Sequence, residues 1–124
     1  ANGLRISYVP QYSEFLRGDL QRYGRSQNVD QTLFMTILRK FGFARIQFEK
    51  NMEDFSAGQR KKVLLAASLA QSAHIYIWDE PLNYVDIVSR LQVEALLKDC
   101  QSTMLFVEHD KAFIDGIATR QIVL

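Results

Sequence analysis

A single cysteine, Cys100, leaves this 124-residue chain without any internal disulfide, and its place just ahead of an apolar run reads as a small buried hydrophobe rather than a reactive thiol. No apolar run approaches the ~18 residues of a membrane span, and nothing resembles a signal peptide, so the chain reads as cytosolic. Neither sign of charge dominates: 15 Lys and Arg stand against 14 Asp and Glu, for a net +1. A global field drawing the protein to nucleic acid or to an anionic membrane is thereby excluded, and any such contact would have to be local. What is present is 48% apolar and 23% charged residues, an ordinary globular composition sufficient for the core of one domain at most.

The stretch Ile75-Tyr76-Ile77-Trp78-Asp79-Glu80-Pro81 organises the rest. Four apolar, mostly β-favouring residues suit a strand buried on both faces, and two carboxylates followed by proline end it. Acids at the C-terminal edge of a parallel sheet stand where ligands bind, although an exposed acidic loop after a core strand has the same pattern.

Context separates the two. Upstream lies Phe55-Ser56-Ala57-Gly58-Gln59, and downstream Phe106-Val107-Glu108-His109-Asp110. Ser56 followed by Gln59 fits a capping box, in which the serine side chain takes the N3 amide and the glutamine reaches back. The same helix start leaves amides and a dipole facing outward, the makings of a phosphate site. Arg60, Lys61 and Lys62 read as the solvated first turn of that helix, at the end where the dipole disfavours their charge, a hint of an anionic neighbour. The helix is expected to run to about Ser72, with Val63, Ala66, Ala67 and Ala70 on one face. His74 reads as a loop residue.

Ahead of it, Leu4 to Val9 alternates as a strand that Pro10 ends, with Gln11 at the exit. Residues 12–54 are expected to be helical: Phe15 to Tyr23 as a short helix, Gly24 to Asn28 as a loop, then a helix capped by Asp30 and stopped at Gly42. Its stripe of Leu33, Phe34, Ile37, Leu38 and Phe41 means packing, with Arg39 and Lys40 outward. Arg17, Arg22, Arg25, Arg39 and Arg45 make a solvated face or contact RNA phosphates. After Glu80, Asp86 caps a helix from Ile87 to about Lys98 with apolar positions Val88, Leu91 and Ala95. Thr103 to Val107 forms the next parallel strand, Asp110 caps a short helix to Ile117, and Gln121 to Leu124 forms a last strand.

Taken in order, these elements resemble the nucleotide-binding domain of the ATP-binding-cassette (ABC) ATPases over nearly the whole chain. The resemblance implies an α/β, partial P-loop NTPase (ABC-type) fold with parallel core strands, flanking helices and an α-helical subdomain. Residues 12–54 would be that subdomain, and 1–11 with 55–124 part of the ATPase core. By resemblance Asp79 holds Mg²⁺, Glu80 is the general base, Gln11 touches the magnesium and the attacking water, and His109 reports the γ-phosphate. Ser56, Gly58 and Gln59 bind ATP held by a second, head-to-tail cassette, and Asp86 couples the two sites.

In the family a Gly-x-x-x-x-Gly-Lys-Ser/Thr loop (Walker A) cradles the phosphates. Gly3, Gly18, Gly24, Gly42, Gly58 and Gly116 frame no such pattern, so the chain is expected to be a C-terminal fragment of a nucleotide-binding domain. On its own it is expected to bind ATP weakly or not at all; calorimetry giving micromolar affinity for these 124 residues would refute this.

Asn83 in Trp78-Asp79-Glu80-Pro81-Leu82-Asn83-Tyr84-Val85-Asp86 favours the F subfamily, and the motifs together are similar to its antibiotic-resistance branch, soluble two-cassette proteins that act on the ribosome. Leu82, Tyr84 and Val85 depart from its commonest form, as Phe55 and Ala57 do from the usual Leu and Gly of the signature. The resemblance implies ribosome or ribosomal RNA as partner, no membrane insertion and no DNA. The alternatives are the ATP-binding subunit of a membrane transporter, a DNA-repair or chromosome-type ATPase, whose long coiled coils would need heptads not found here, and a degenerate non-hydrolytic domain.

Overall fold

The computed structural model describes residues 4–98 and 103–107. Three strands, β1 (Ile6–Val9), β2 (Ile75–Asp79) and β3 (Thr103–Val107), form a parallel sheet in the order β1-β2-β3. Ile6 pairs with Ile75 and Val9 with Trp78, while Trp78 pairs with Phe106 and Asp79 with Val107. Between the strands run α1 (Leu20–Ser26), α2 (Gln31–Lys40), α3 (Arg45–Glu49), a 3₁₀ turn (Met52–Asp54), α4 (Ala57–Ala70) and α5 (Ile87–Lys98).

Period-two alternation puts Ser7 and Val9 of β1 and Tyr76 and Trp78 of β2 on one buried face. This face meets α4, where the Trp78 indole N–H donates to Ser68 Oγ at 2.8 Å and the Ser7 and Ser68 hydroxyls share a bond of 2.6 Å. The Tyr76 hydroxyl donates to Gln71 O just past the end of α4. The opposite face carries Ile6, Tyr8, Leu105 and Val107 exposed and Ile75 and Ile77 half-buried. Among the described residues β2 is therefore fully buried on one face only, not on both.

From Val63 to Ala67 α4 is apolar all round because it lies between β1 and α2, and Val63, Leu64, Leu65, Ala66 and Ala67 are all buried. It ends at Ala70 rather than Ser72. α2 begins at the expected cap, the Asp30 carboxylate accepting from the Leu33 amide at 3.0 Å, and Gly42 follows it with φ +92°. Phe34, Ile37, Leu38 and Phe41 form the buried stripe, whereas Leu33 is exposed.

Two expectations shift. The short helix spans Leu20–Ser26, not Phe15 to Tyr23: Asp19 caps it, and Gly24 lies within it, not in a loop. A Cβ on Gly24 would come within 2.9 Å of the Phe34 ring, so the glycine serves the close approach of α1 to α2. In α5, Val88, Leu91 and Ala95 are exposed, and Ser89, Val93 and Leu97 are buried instead. The Ser89 hydroxyl is satisfied inside by Phe41 O and the Asp86 carboxylate, which allows a polar residue to face inward.

Candidate nucleotide site

The parallel register places the C-terminal ends of β1 and β2 side by side. Gln11 leaves the first after Pro10, and Asp79 closes the second. At Glu80 the chain turns off the strand through a left-handed conformation, φ +46°, uncommon for a residue with a side chain and characteristic of functional turns. Its amide is held by Val107 O at 2.8 Å. The Glu80 carboxylate Oε2 accepts from the Gln11 side-chain amide at 2.8 Å and from Asn83 Nδ2 at 2.9 Å. Gln11, Asp79 and Glu80 are thus brought together at one sheet edge.

The loop after Glu80 is pinned by Pro81, Leu82 and Val85, all buried, and ends at Asp86, which caps α5 by accepting from the Ser89 amide at 3.1 Å. The start of α4 grips this loop. A Cβ on Gly58 would run into the Tyr84 carbonyl, so this glycine is required by contact within the chain itself. The Lys62 ammonium lies 2.6 Å from Asp86 Oδ1. The capping box is present as expected: Ser56 Oγ accepts from the Gln59 amide at 3.1 Å, and Gln59 Oε1 accepts from the Ser56 amide at 3.0 Å.

The solvated first turn is overturned. Lys61, 1% exposed, donates to Pro10 O at 3.1 Å and Gln11 O at 2.8 Å, while the Arg60 guanidinium donates to Phe55 O at 2.6 Å. All three cations bind their own chain. Neighbouring lysines on one helix therefore hold two loops: Lys61 the exit of β1, Lys62 the turn before α5. Sequence reasoning missed Lys61 and the Asn83 contact. The dipole conflict of three cations at a helix start was the usable signal, and for Lys62 the anionic neighbour it pointed to is Asp86.

Lys62, first, and the Ser89 donors hold the Asp86 carboxyl below the ordinary carboxylate range. A depressed folded-state pKa gives stability that is present above the unfolded value of about 3.9 and is lost as pH falls toward the folded one. In Lys62→Met the Asp86 titration observed by carboxyl ¹³C NMR is expected to move up toward the ordinary value. An unchanged midpoint would remove the lysine as its cause.

Asp79, Glu80 and Gln11, which share one sheet edge, carry oxygen donors of the kind that suits Mg²⁺, which keeps several waters and takes one or two carboxylates beside substrate phosphates. The Gln11 amide nitrogen is engaged by Glu80, which leaves its hard oxygen, Oε1, on the other side of the group. Among the described residues no three His, Cys, Asp or Glu side chains form a self-sufficient metal cluster. His109 lies outside the described residues, as do Cys100 and the elements expected from Asp110 onward.

Residues 2–83 match the family model described as ABC transporter. The chain belongs to the ABC family. Its ABC relatives are of the F type. The ATP-binding protein YdiF of Bacillus subtilis, putative by name, is 38% identical over 89 residues, 72% of this chain. The ribosome protection protein VmlR of the same organism is 32% identical over 88 residues, 71% of the chain. The chain spans only 14% and 16% of those two relatives. An archaeal ribosome recycling factor, solved with the ribosomal stalk protein aP1, superposes on the ABC fold seen here with a TM-score of 0.72 and 28% identity, over 94% of this chain and 24% of that one. Among the described residues of this ABC chain no helix is long and apolar enough to cross a membrane.

Proposed function

We propose that this chain supplies one wall of an ATP-hydrolysis site in a cytoplasmic, two-cassette ABC-F protein that acts on the ribosome. The observation that carries the reading is the Gln11–Glu80 hydrogen bond at the C-terminal sheet edge, beside Asp79. Residues 12–54 are the helical subdomain, and 1–11 with 55–124 belong to the ATPase core. Bound Mg²⁺ would neutralise charge on the β- and γ-phosphates, with Asp79 and Gln11 Oε1 as its protein partners. Glu80 takes the proton of the attacking water, and Gln11 and Asn83 orient its carboxylate. His109 acts at the γ-phosphate.

Ser56, Gly58 and Gln59 meet the nucleotide of the opposing cassette, and Asp86, tied to α4 by Lys62, transmits its presence. The names of VmlR and of the recycling factor support the ribosome as the target. The test is ATP turnover by the full-length parent with and without purified ribosomes. Ribosome-stimulated turnover is expected; turnover indifferent to ribosomes would remove that part of the reading, and absence of any turnover would remove the first.

A further inference from the structure

We infer that the groove between α1, α2 and α3 is a binding surface for single-stranded RNA. Two open hollows of about 440 and 340 Å³ adjoin there and share Gln21, Met35 and Arg39. Arg45 and Phe48 extend one end, and Arg25 and Gln31 the other. Among the described residues no acidic side chain lines either hollow. Arg25 and Arg39 sit in the last turns of their helices, where the dipole alone would favour them, but that does not account for three arginines on one groove.

Arg45 has a partner, Glu49, at 3.6 Å, through a pair so exposed that it contributes little and yields readily to a phosphate. Gln31, partly buried, lines the hollow beside Arg25. The Arg39 guanidinium lies 5.5 Å from the centre of the half-buried Phe48 ring, which makes a flat cationic and aromatic ledge.

These features divide the work as nucleic-acid recognition does. Arginine forks take phosphates bidentately, and the ledge accepts an unstacked base. The neutral polar residues Gln21 and Thr32 also line the groove, and groups of that kind can meet a ribose hydroxyl, which only RNA presents. An acidic peptide would use the arginines and leave the ledge idle. The inference deepens the ribosome reading and rests on it for where such RNA would be met.

Fluorescence anisotropy of a short labelled single-stranded RNA with this chain, without ATP or ribosomes, keeps the two separable. Replacing Arg25, Arg39 and Arg45 together by alanine is expected to weaken binding more than tenfold. The slope of log affinity against log salt should fall by about 2, from three lost phosphate contacts at ~0.7 each. Thr32→Glu, an exposed change in the first turn of α2, should weaken binding by repulsion without touching the core, and Arg5→Ala, remote from the groove, should leave it unchanged. An unchanged slope in the triple variant, equal loss in Arg5→Ala, or displacement of the RNA by oligoglutamate at equal charge would overturn the inference. Single-stranded DNA of the same sequence should bind more weakly; equal binding would overturn the assignment to RNA.

Discussion

Glu80→Gln in the full-length parent is expected to slow steady-state ATP turnover by ~10² to 10⁴-fold while leaving ATP binding intact, the range that a positioned general base contributes. The substitution is nearly isosteric. Its side-chain oxygen can still accept from Gln11 or Asn83, so the turn at Glu80 and its amide bond to Val107 should survive. What is lost is the carboxylate that receives the proton. Turnover within a few-fold of the parent would exclude Glu80 as the base, and a matching loss of ATP binding would mean that the residue is structural.

Lys61→Met should be the more destabilising change, although the bonds Lys61 makes to Pro10 and Gln11 are to their backbone carbonyls and not to a side chain assigned to the chemistry. The lysine is buried and donates to two backbone carbonyls, and charge-assisted bonds of this kind are worth roughly 1.5–3 kcal/mol each. Methionine fills the stem's volume but leaves Pro10 O and Gln11 O without their donor. A net loss of ~2 kcal/mol is expected, and at a few degrees per kcal/mol for a domain of this size the thermal midpoint should fall by roughly 10 °C. Because those carbonyls position Gln11, kcat in the parent should fall at temperatures where the variant is folded, with KM little changed. A variant with the parent's melting temperature and kcat would show that the two bonds hold nothing of consequence.

Much of the fold was legible because the signals were local. Asp30 and Asp86 cap the helices expected of them, and Thr103–Val107 forms a parallel strand within the bounds that apolar β-favouring residues set. The misses were long-range. Gly24 reads as a helix breaker until the Phe34 ring that needs its missing Cβ is in view. Val88, Leu91 and Ala95 read as the apolar positions of α5 until Phe41 O, a buried acceptor for Ser89, is in view. Lys61 reads as solvated because no pattern along one helix shows that backbone carbonyls some fifty residues earlier lie against it.

The site divides in the same way. Resemblance, not spacing, suggested that residues 11 and 80 belong together, and the sheet register supplies the cause by setting the exits of β1 and β2 next to each other. The Asn83 bond to Glu80 depends on the left-handed turn at Glu80, which nothing in a Glu-Pro sequence announces.

The most direct test is a double-mutant cycle on ATP turnover by the full-length parent, using Gln11→Ala, Glu80→Gln and the two combined. If the pair works as one unit, the double variant should be no slower than the slower single variant, since the second loss removes a function already gone. Multiplicative losses, each substitution slowing turnover by its full factor in the presence of the other, would contradict a shared role at the edge of the sheet.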